Sequence, residues 1–147
     1  DKILDTNLKG VFFLSQMFGK YFVKNGIKGN ILNIASASSF RPADSAYSVT
    51  KWGVRGVTLG LAKALGKEGI TVNGIAPGPT ATPMMLKSDD ANMYLNRIPL
   101  GRYITPEEIA NMAVILVSDM SRSIMGELIF MTGGAANLTY DDVKYGF

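Results

Sequence analysis

NILNIASASSFRPADSAYSVTKWGVRGVTLGLAKAL, residues Asn30 to Leu65, decides how the rest of the chain is read. Ile31, Leu32, Ile34 and Ala35 form a short apolar run, the pattern of a strand buried on both faces. Ser36 stands where the run ends, and Ser38, Ser39, Arg41, Pro42 and Asp44 read as loop. Ser45 has the side chain of an N-cap. The helix that follows carries Tyr47 and Lys51 at i and i+4, on one face.

A serine at a strand end, followed by a tyrosine and a lysine one helical turn apart, is a set of parts for moving a proton to and from a carbonyl oxygen. A free tyrosine hydroxyl, with a pKa near ~10, is a poor base at neutral pH, and making it a good one takes roughly 4 kcal/mol. A cation about 4 Å away supplies roughly that at an effective dielectric of ~20. Lys51 is the nearest such cation in sequence. With it in place, Tyr47 would act as general acid for reduction and general base for oxidation, and Ser36 would hold the same carbonyl oxygen.

On these residues the sequence resembles the short-chain dehydrogenase/reductases. Their signature is a strand ending in serine and then YxxxK on the next helix, here Ser36 and Tyr47-Ser48-Val49-Thr50-Lys51. Three further landmarks stand in family order: an asparagine in the preceding helix, as in Asn7-Leu8-Lys9-Gly10; a PG after the next strand, as in Val72-Asn73-Gly74-Ile75-Ala76-Pro77-Gly78; and a strand leading to paired glycines, as in Leu128-Ile129-Phe130-Met131-Thr132-Gly133-Gly134. The Ser36–Tyr47 loop is slightly shorter than the commonest family form, and Ser36 rather than Ser38 holds the family position after Asn33-Ile34. The resemblance implies that Asn7, Ser36, Tyr47 and Lys51 form the proton-transfer site. It implies NAD or NADP as cofactor, with Lys51 and Tyr47 at the nicotinamide ribose and the Pro77-Gly78 loop, with the Thr80 backbone and the Thr82 hydroxyl, at the carboxamide or the phosphates.

One family element is not found. No G-x-G-x-x-G stands at a strand-to-helix turn. Gly53, Gly56 and Gly60 lie within the helix around Tyr47, and the chain begins at Asp1 rather than Met. The expectation is therefore the C-terminal part of a Rossmann-like, doubly wound α/β domain with a parallel sheet, residues 1–147, without its dinucleotide-binding N-terminal part. The choice between NAD and NADP would be made in that missing part.

Composition narrows the field. The 147 residues contain no cysteine and no histidine. Disulfides, thiol chemistry, histidine metal sites and a Ser-His-Asp triad are thereby excluded. The cysteine-free sequence fits a reducing compartment, and the cytoplasm is the expected location. A formal charge of +3, spread without a basic block, argues against nucleic acid as a partner. The longest apolar runs are far short of a membrane span.

Along the chain, residues 1–24 read as an amphipathic helix through Ile3, Leu4, Leu8, Val11, Phe12, Ser15 and Phe18, ended by Asn25-Gly26. Each of the three glycines in the Tyr47 helix costs about 1 kcal/mol against alanine, so close approach of the sheet or of a neighbouring subunit is expected on that face. The resemblance implies a homodimer or homotetramer through this helix and the one before it. Ile70 to Ala76 reads as the next strand. Residues 79–104 read as either a substrate lid or a surface helix pair. Arg97 and Arg102 lie there and could meet an acidic substrate, but arginines in such a segment are more often solvated, and neither is taken as a site residue. Thr105-Pro106-Glu107-Glu108 is a helix start with cap, first-turn proline and first-turn acids, and the helix should run to about Ser118. Gly126 opens the last strand. In the tail, residues 135–147, Tyr140 and Lys144 repeat YxxxK without a strand-end serine, a chance match. The tail aromatics Tyr140, Tyr145 and Phe147 are expected to pack on a neighbouring subunit.

The reading that results is an oxidoreductase moving a hydride between NAD(P) and a small alcohol or ketone. Its rivals are an epimerase or dehydratase with the same Tyr47 and Lys51, and a non-catalytic oligomerisation or sensing module of the same fold.

Overall fold

The computed structural model describes residues 1–83, 85–86 and 93–138. The Tyr140/Lys144 pair and the tail aromatics lie outside the described residues. Three strands, β1 (Asn30–Ile34), β2 (Thr71–Pro77) and β3 (Leu128–Met131), form one parallel sheet in the order β1-β2-β3. Four helices accompany them: α1 (Lys2–Leu4), α2 (Val11–Lys24), α3 (Ala46–Leu65) and α4 (Pro106–Val117). Parallel neighbours need crossover connections, and α3 supplies the one from β1 to β2, α4 the one from β2 to β3.

Alternation along the strands places the helices on both faces. Ile31, Asn33 and Ala35 face α2 and α3: Ile31 packs with Ala62, Ile70 and Val72, and Ala35 with Val54 and Ala76. Asn30, one residue out of phase with Ile31, donates from Nδ2 to the Leu116 carbonyl of α4 at 2.9 Å, on the opposite face. The sheet is thus doubly wound.

Two strand asparagines bind the layers together. Asn33, buried, accepts from the Ser15 hydroxyl of α2 (3.2 Å) and donates to the Thr58 hydroxyl of α3 (3.0 Å). Asn73, fully buried, donates to the Ile124 carbonyl (2.7 Å) and accepts from the Glu127 amide (3.0 Å), fixing the turn that launches β3. Buried polar atoms are tolerated where they are paired in this way.

The element boundaries largely follow the sequence. Ser45 caps α3 through the Ser48 amide (3.2 Å), and Thr105 and Glu108 form a reciprocal capping box at α4. Four expectations need correction. The first 24 residues are helical but not a uniform α-helix: Asp5–Gly10, which contains Asn7, is a π turn. Its buried stripe also differs, because Ser15 and Gly19 are buried while Ile3, Leu4, Phe12 and Phe18 are exposed. Of the three α3 glycines, one is explained by close approach among the described residues. A Cβ on Gly53 would come within 2.5 Å of Leu8 Cδ1, so α3 is packed there by the preceding helix, whereas Gly56 and Gly60 face open space among the described residues. Finally, residues 93–104 contain no helix. Tyr94 and Arg102 form an antiparallel bridge, and the chain turns back on itself between Leu95 and Gly101 (Leu95 N to Gly101 O, 2.9 Å).

Candidate active site

β1 ends at Ile34, and Ser36 lies two residues beyond, capping a short 3-10 turn (Ala37–Ser39) with its hydroxyl, which accepts from the Ser38 amide at 3.1 Å. The loop then reaches α3, which descends along the sheet with Tyr47 in its first turn and Lys51 in its second. The Lys51 ammonium reaches back across the layer and donates to the Ile34 carbonyl at 3.0 Å. It lies 5.5 Å from the centre of the Tyr47 ring. The ammonium thus stands beside the ring, while Tyr47 itself stays open to solvent, 42% exposed. Partial burial of Lys51 lowers its pKa below the ordinary lysine value. The strand end, the ammonium and the phenol are therefore one structural unit.

Beside it a cavity of about 250 Å³ opens at the carboxyl ends of β1 and β2. It is lined by Ser36, Ser38 and Arg41 on one side, Pro77 and Gly78 on another, and Met85 and Arg97 on a third. Gly78 is required here by backbone contact: a Cβ would lie 2.7 Å from Thr132 Cα. Open α/β sheets take their ligands outside the carboxyl ends of the strands, and this cavity is in that place.

Of the residues singled out from the sequence, the cavity brings together Ser36, Pro77 and Gly78. Tyr47 and Lys51 are joined to each other and to the end of β1, but are not part of the cavity lining. Thr80 and Thr82 are not part of it either. The Thr80 hydroxyl donates to the Gly78 carbonyl at 3.0 Å, and Thr82 uses its backbone, its amide donating to Thr80 O at 2.8 Å. Asn7 is half-buried in the π turn, which is held on α3 by Leu8, and its side chain makes no hydrogen bond among the described residues. π turns are frequent at functional sites.

Arg41 and Met85 were not singled out by sequence reading; position in a loop after the strand-end serine is the one signal that could have found Arg41. Arg102, weighed there alongside Arg97, is excluded as a ligand for substrate. It makes a two-pronged pair with Glu108 (2.7 and 3.0 Å). The Arg102 hydrogen bonds and the Thr105 amide hold the Glu108 carboxyl well below its ordinary range, at about 2. A carboxylate depressed in the folded state contributes stability that is present above its ordinary pKa and lost as pH falls through the folded value. Wild type should therefore lose more Tm than Glu108→Gln as pH drops from ~4.3 toward about 2, by a small margin because both side chains are about two-fifths exposed. Equal losses in a thermal-melt series would show the pair to be inert.

The fold and the cleft define a doubly wound α/β protein with a ligand site at its strand ends. Comparison with known proteins takes this further. The family profile described as Enoyl-(Acyl carrier protein) reductase matches residues 1–136. The 3-oxoacyl-[acyl-carrier-protein] reductase FabG of Thermotoga maritima is 39% identical over 138 residues, covering 91% of this chain and 56% of that protein. The 2-dehydro-3-deoxy-D-gluconate 5-dehydrogenase of Escherichia coli is 39% identical over 140 residues, covering 91% and 55%. Among solved structures, 4-hydroxyisoleucine dehydrogenase complexed with NADH superposes with a TM-score of 0.84 at 31% identity, over 93% of this chain and 58% of that one. A 2-deoxy-d-gluconate 3-dehydrogenase homologue from Agrobacterium tumefaciens with bound NADP gives 0.80 at 39% identity, over 89% and 56%. The chain belongs to the short-chain dehydrogenase/reductase family, and it spans little more than half the length of these relatives. Among the described residues no helix is long and apolar enough to cross a membrane.

Proposed function

We propose that this chain is the C-terminal catalytic part, residues 1–147, of a single Rossmann-like domain in an NAD(P)-dependent oxidoreductase that interconverts a small alcohol and a ketone. The observation that carries the reading is the Lys51 ammonium, fixed on the Ile34 carbonyl at the strand end and one helical turn from Tyr47, beside the cavity that holds Ser36.

Ser36 donates to the substrate oxygen and orients it. Tyr47 gives its proton to that oxygen during reduction and takes it back during oxidation. Lys51 stabilises the phenolate, and Asn7 continues the proton path. The residues present fit the nicotinamide end of the cofactor: a partly buried ammonium, a phenol, and the Pro77-Gly78 turn at the cavity wall, with Thr80 and Thr82 just beyond. When bound, NAD(P) supplies or accepts the hydride at the carbonyl carbon. Nothing among the residues described decides between NAD and NADP.

The test is net oxidation of NADH or NADPH coupled to ketone reduction by the full-length protein. Turnover with no change in cofactor redox state would replace this reading with isomerisation or dehydration, and cofactor binding with no turnover of any kind would leave a sensing module.

A homodimer or homotetramer through α2 and α3 belongs to the same proposal. α2 is apolar almost all round, with Phe13, Leu14, Met17 and Tyr21 each more than half exposed, and such a helix belongs in an interior. Gly56 and Gly60 leave the adjoining α3 face free of side-chain bulk. A monomeric mass by light scattering would sink this part. The cytoplasm stays the proposed location, on the cysteine-free sequence, and cell fractionation tests it.

A further inference from the structure

Among the described residues, the charged side chains lining the cavity at the strand ends are basic. Its lining holds two guanidinium groups, Arg41 and Arg97, and no carboxylate among the described residues. Arg41 is itself engaged, and so are two other arginines nearby. Arg102 is paired with Glu108, and Arg55 donates to the Ser39 carbonyl while lying over Trp52 and Phe130. Arg97 makes no hydrogen bond or ion pair among the described residues.

The Arg97 side chain is exposed, but its backbone is clamped. It sits in the turn closed by Leu95 N to Gly101 O (2.9 Å) and Gly101 N to Ile98 O (2.9 Å). The next residue, Ile98, is buried, and Leu100 N donates to Gly133 O at 2.9 Å. The turn lies directly on the Gly133-Gly134 backbone. A Cβ on Gly133 would stand 3.0 Å from both Ile98 Cδ1 and Leu100 Cβ, and one on Gly134 would stand 2.6 Å from Pro99 Cγ. The paired glycines thus hold the root of Arg97 in place at the cavity that contains Ser36. A guanidinium rooted on a held backbone, with no partner among the described residues, is available for a two-pronged bond to a carboxylate or a phosphate oxygen pair.

Resting on the oxidoreductase reading, we propose that the substrate carries an anionic group, a carboxylate or a phosphate ester, bound by Arg97 while Ser36 holds the carbonyl oxygen. At about 250 Å³ the cavity is below the ~300–1,000 Å³ of pockets for drug-sized ligands, so the anion and the carbonyl belong to one short molecule. Arg97 is the specificity residue for that group.

The test uses the full-length enzyme with its preferred cofactor, as wild type, Arg97→Gln and Arg97→Lys. Pyruvate, acetoacetate and levulinate are each assayed against their methyl esters, and dihydroxyacetone phosphate against dihydroxyacetone. Wild type should prefer the anion in at least one pair, and which pair responds separates carboxylate from phosphate. Arg97→Gln should cut that preference roughly 10–100-fold, the worth of a charged hydrogen bond, with the loss in KM rather than kcat and with Arg97→Lys recovering part of it. No anion preference in wild type, an equal loss on acid and ester, or a loss that falls on the KM of the cofactor would each overturn the proposal while leaving the oxidoreductase reading intact. Should no ketone turn over, the oxidoreductase reading fails, and binding alone decides the pocket. Trp52, the one tryptophan in these 147 residues, donates to the Arg41 carbonyl at 2.7 Å and reports on that loop by fluorescence, with Trp52→Phe as the control that assigns the signal. A saturable change with levulinate or inorganic phosphate that Arg97→Gln removes would uphold the anion site, and its absence would overturn it.

Discussion

Tyr47→Phe is expected to lower kcat by about 10²–10⁴-fold, the usual contribution of a positioned general acid or base. The substitution deletes one oxygen and nothing else. The ring keeps its place on α3 and its 5.5 Å relation to the Lys51 ammonium, and Lys51 keeps its bond to the Ile34 carbonyl. The cavity wall, built by Ser36, Pro77 and Gly78, is untouched because Tyr47 is not part of it. The Kd for NADH or NADPH should therefore change by less than about threefold, which is under 1 kcal/mol. A variant that still reduces ketone near the wild-type rate would remove Tyr47 from the chemistry and with it the proposed mechanism. A variant that loses activity and cofactor binding together would make the hydroxyl a binding group instead.

The largest effect on stability is expected at Asn73. Replacing it by alanine removes a fully buried side chain and leaves the Ile124 carbonyl and the Glu127 amide, on a part-buried turn, without their partner. Each orphan costs about 1–3 kcal/mol, so the total should fall at about 2–6 kcal/mol, a large part of the ~5–15 kcal/mol that holds a typical domain folded. The loss should appear as a lower urea midpoint with an unchanged m-value. A change under about 1 kcal/mol would mean that water enters and satisfies both groups. The consequence extends beyond stability, because the Ile124–Glu127 turn starts β3, and β3 delivers the Gly133-Gly134 backbone that supports Arg97.

What could be read in the sequence divides along physical lines. Local rules with a single partner were legible: Ser45 and Thr105 as caps, Gly26 past the end of α2, and the i, i+4 relation of Tyr47 and Lys51. So was the order of strands and helices, since buried parallel strands are short apolar runs and amphipathic helices repeat near every fourth residue. The Ser36–Gly78 cavity followed from the family landmarks. Features that depend on pairing between distant segments were not legible. Asn33 and Asn73 look like polar interruptions of a strand, and only the meeting of β1 with α2 and α3, and of β2 with the Ile124–Glu127 turn, shows them to be ties. Arg97 and Arg102 are near neighbours of the same type. Their fates separate because Glu108, presented by a capping box, reaches one and not the other. The outward placement of Phe12 and Phe18 was hidden for a related reason: α2 is apolar on nearly every side, so hydrophobicity alone does not choose its inner face.

The π turn at Asp5–Gly10 is a surplus residue absorbed into one coil of a helix. At ~3.6 residues per turn, one residue is worth about 100° of azimuth and 1.5 Å of height. The segments on either side of it are therefore out of phase, and Asn7 points where it does because of a count, not because of what flanks it. Substitution at Thr6 or Leu8 alters contacts but preserves the count. A single-residue deletion there would turn the bulge into an ordinary α turn, leaving the flanking segments in place and removing the offset that sets Asn7. The aim of Asn7 is thus written in the length of the chain rather than in its letters.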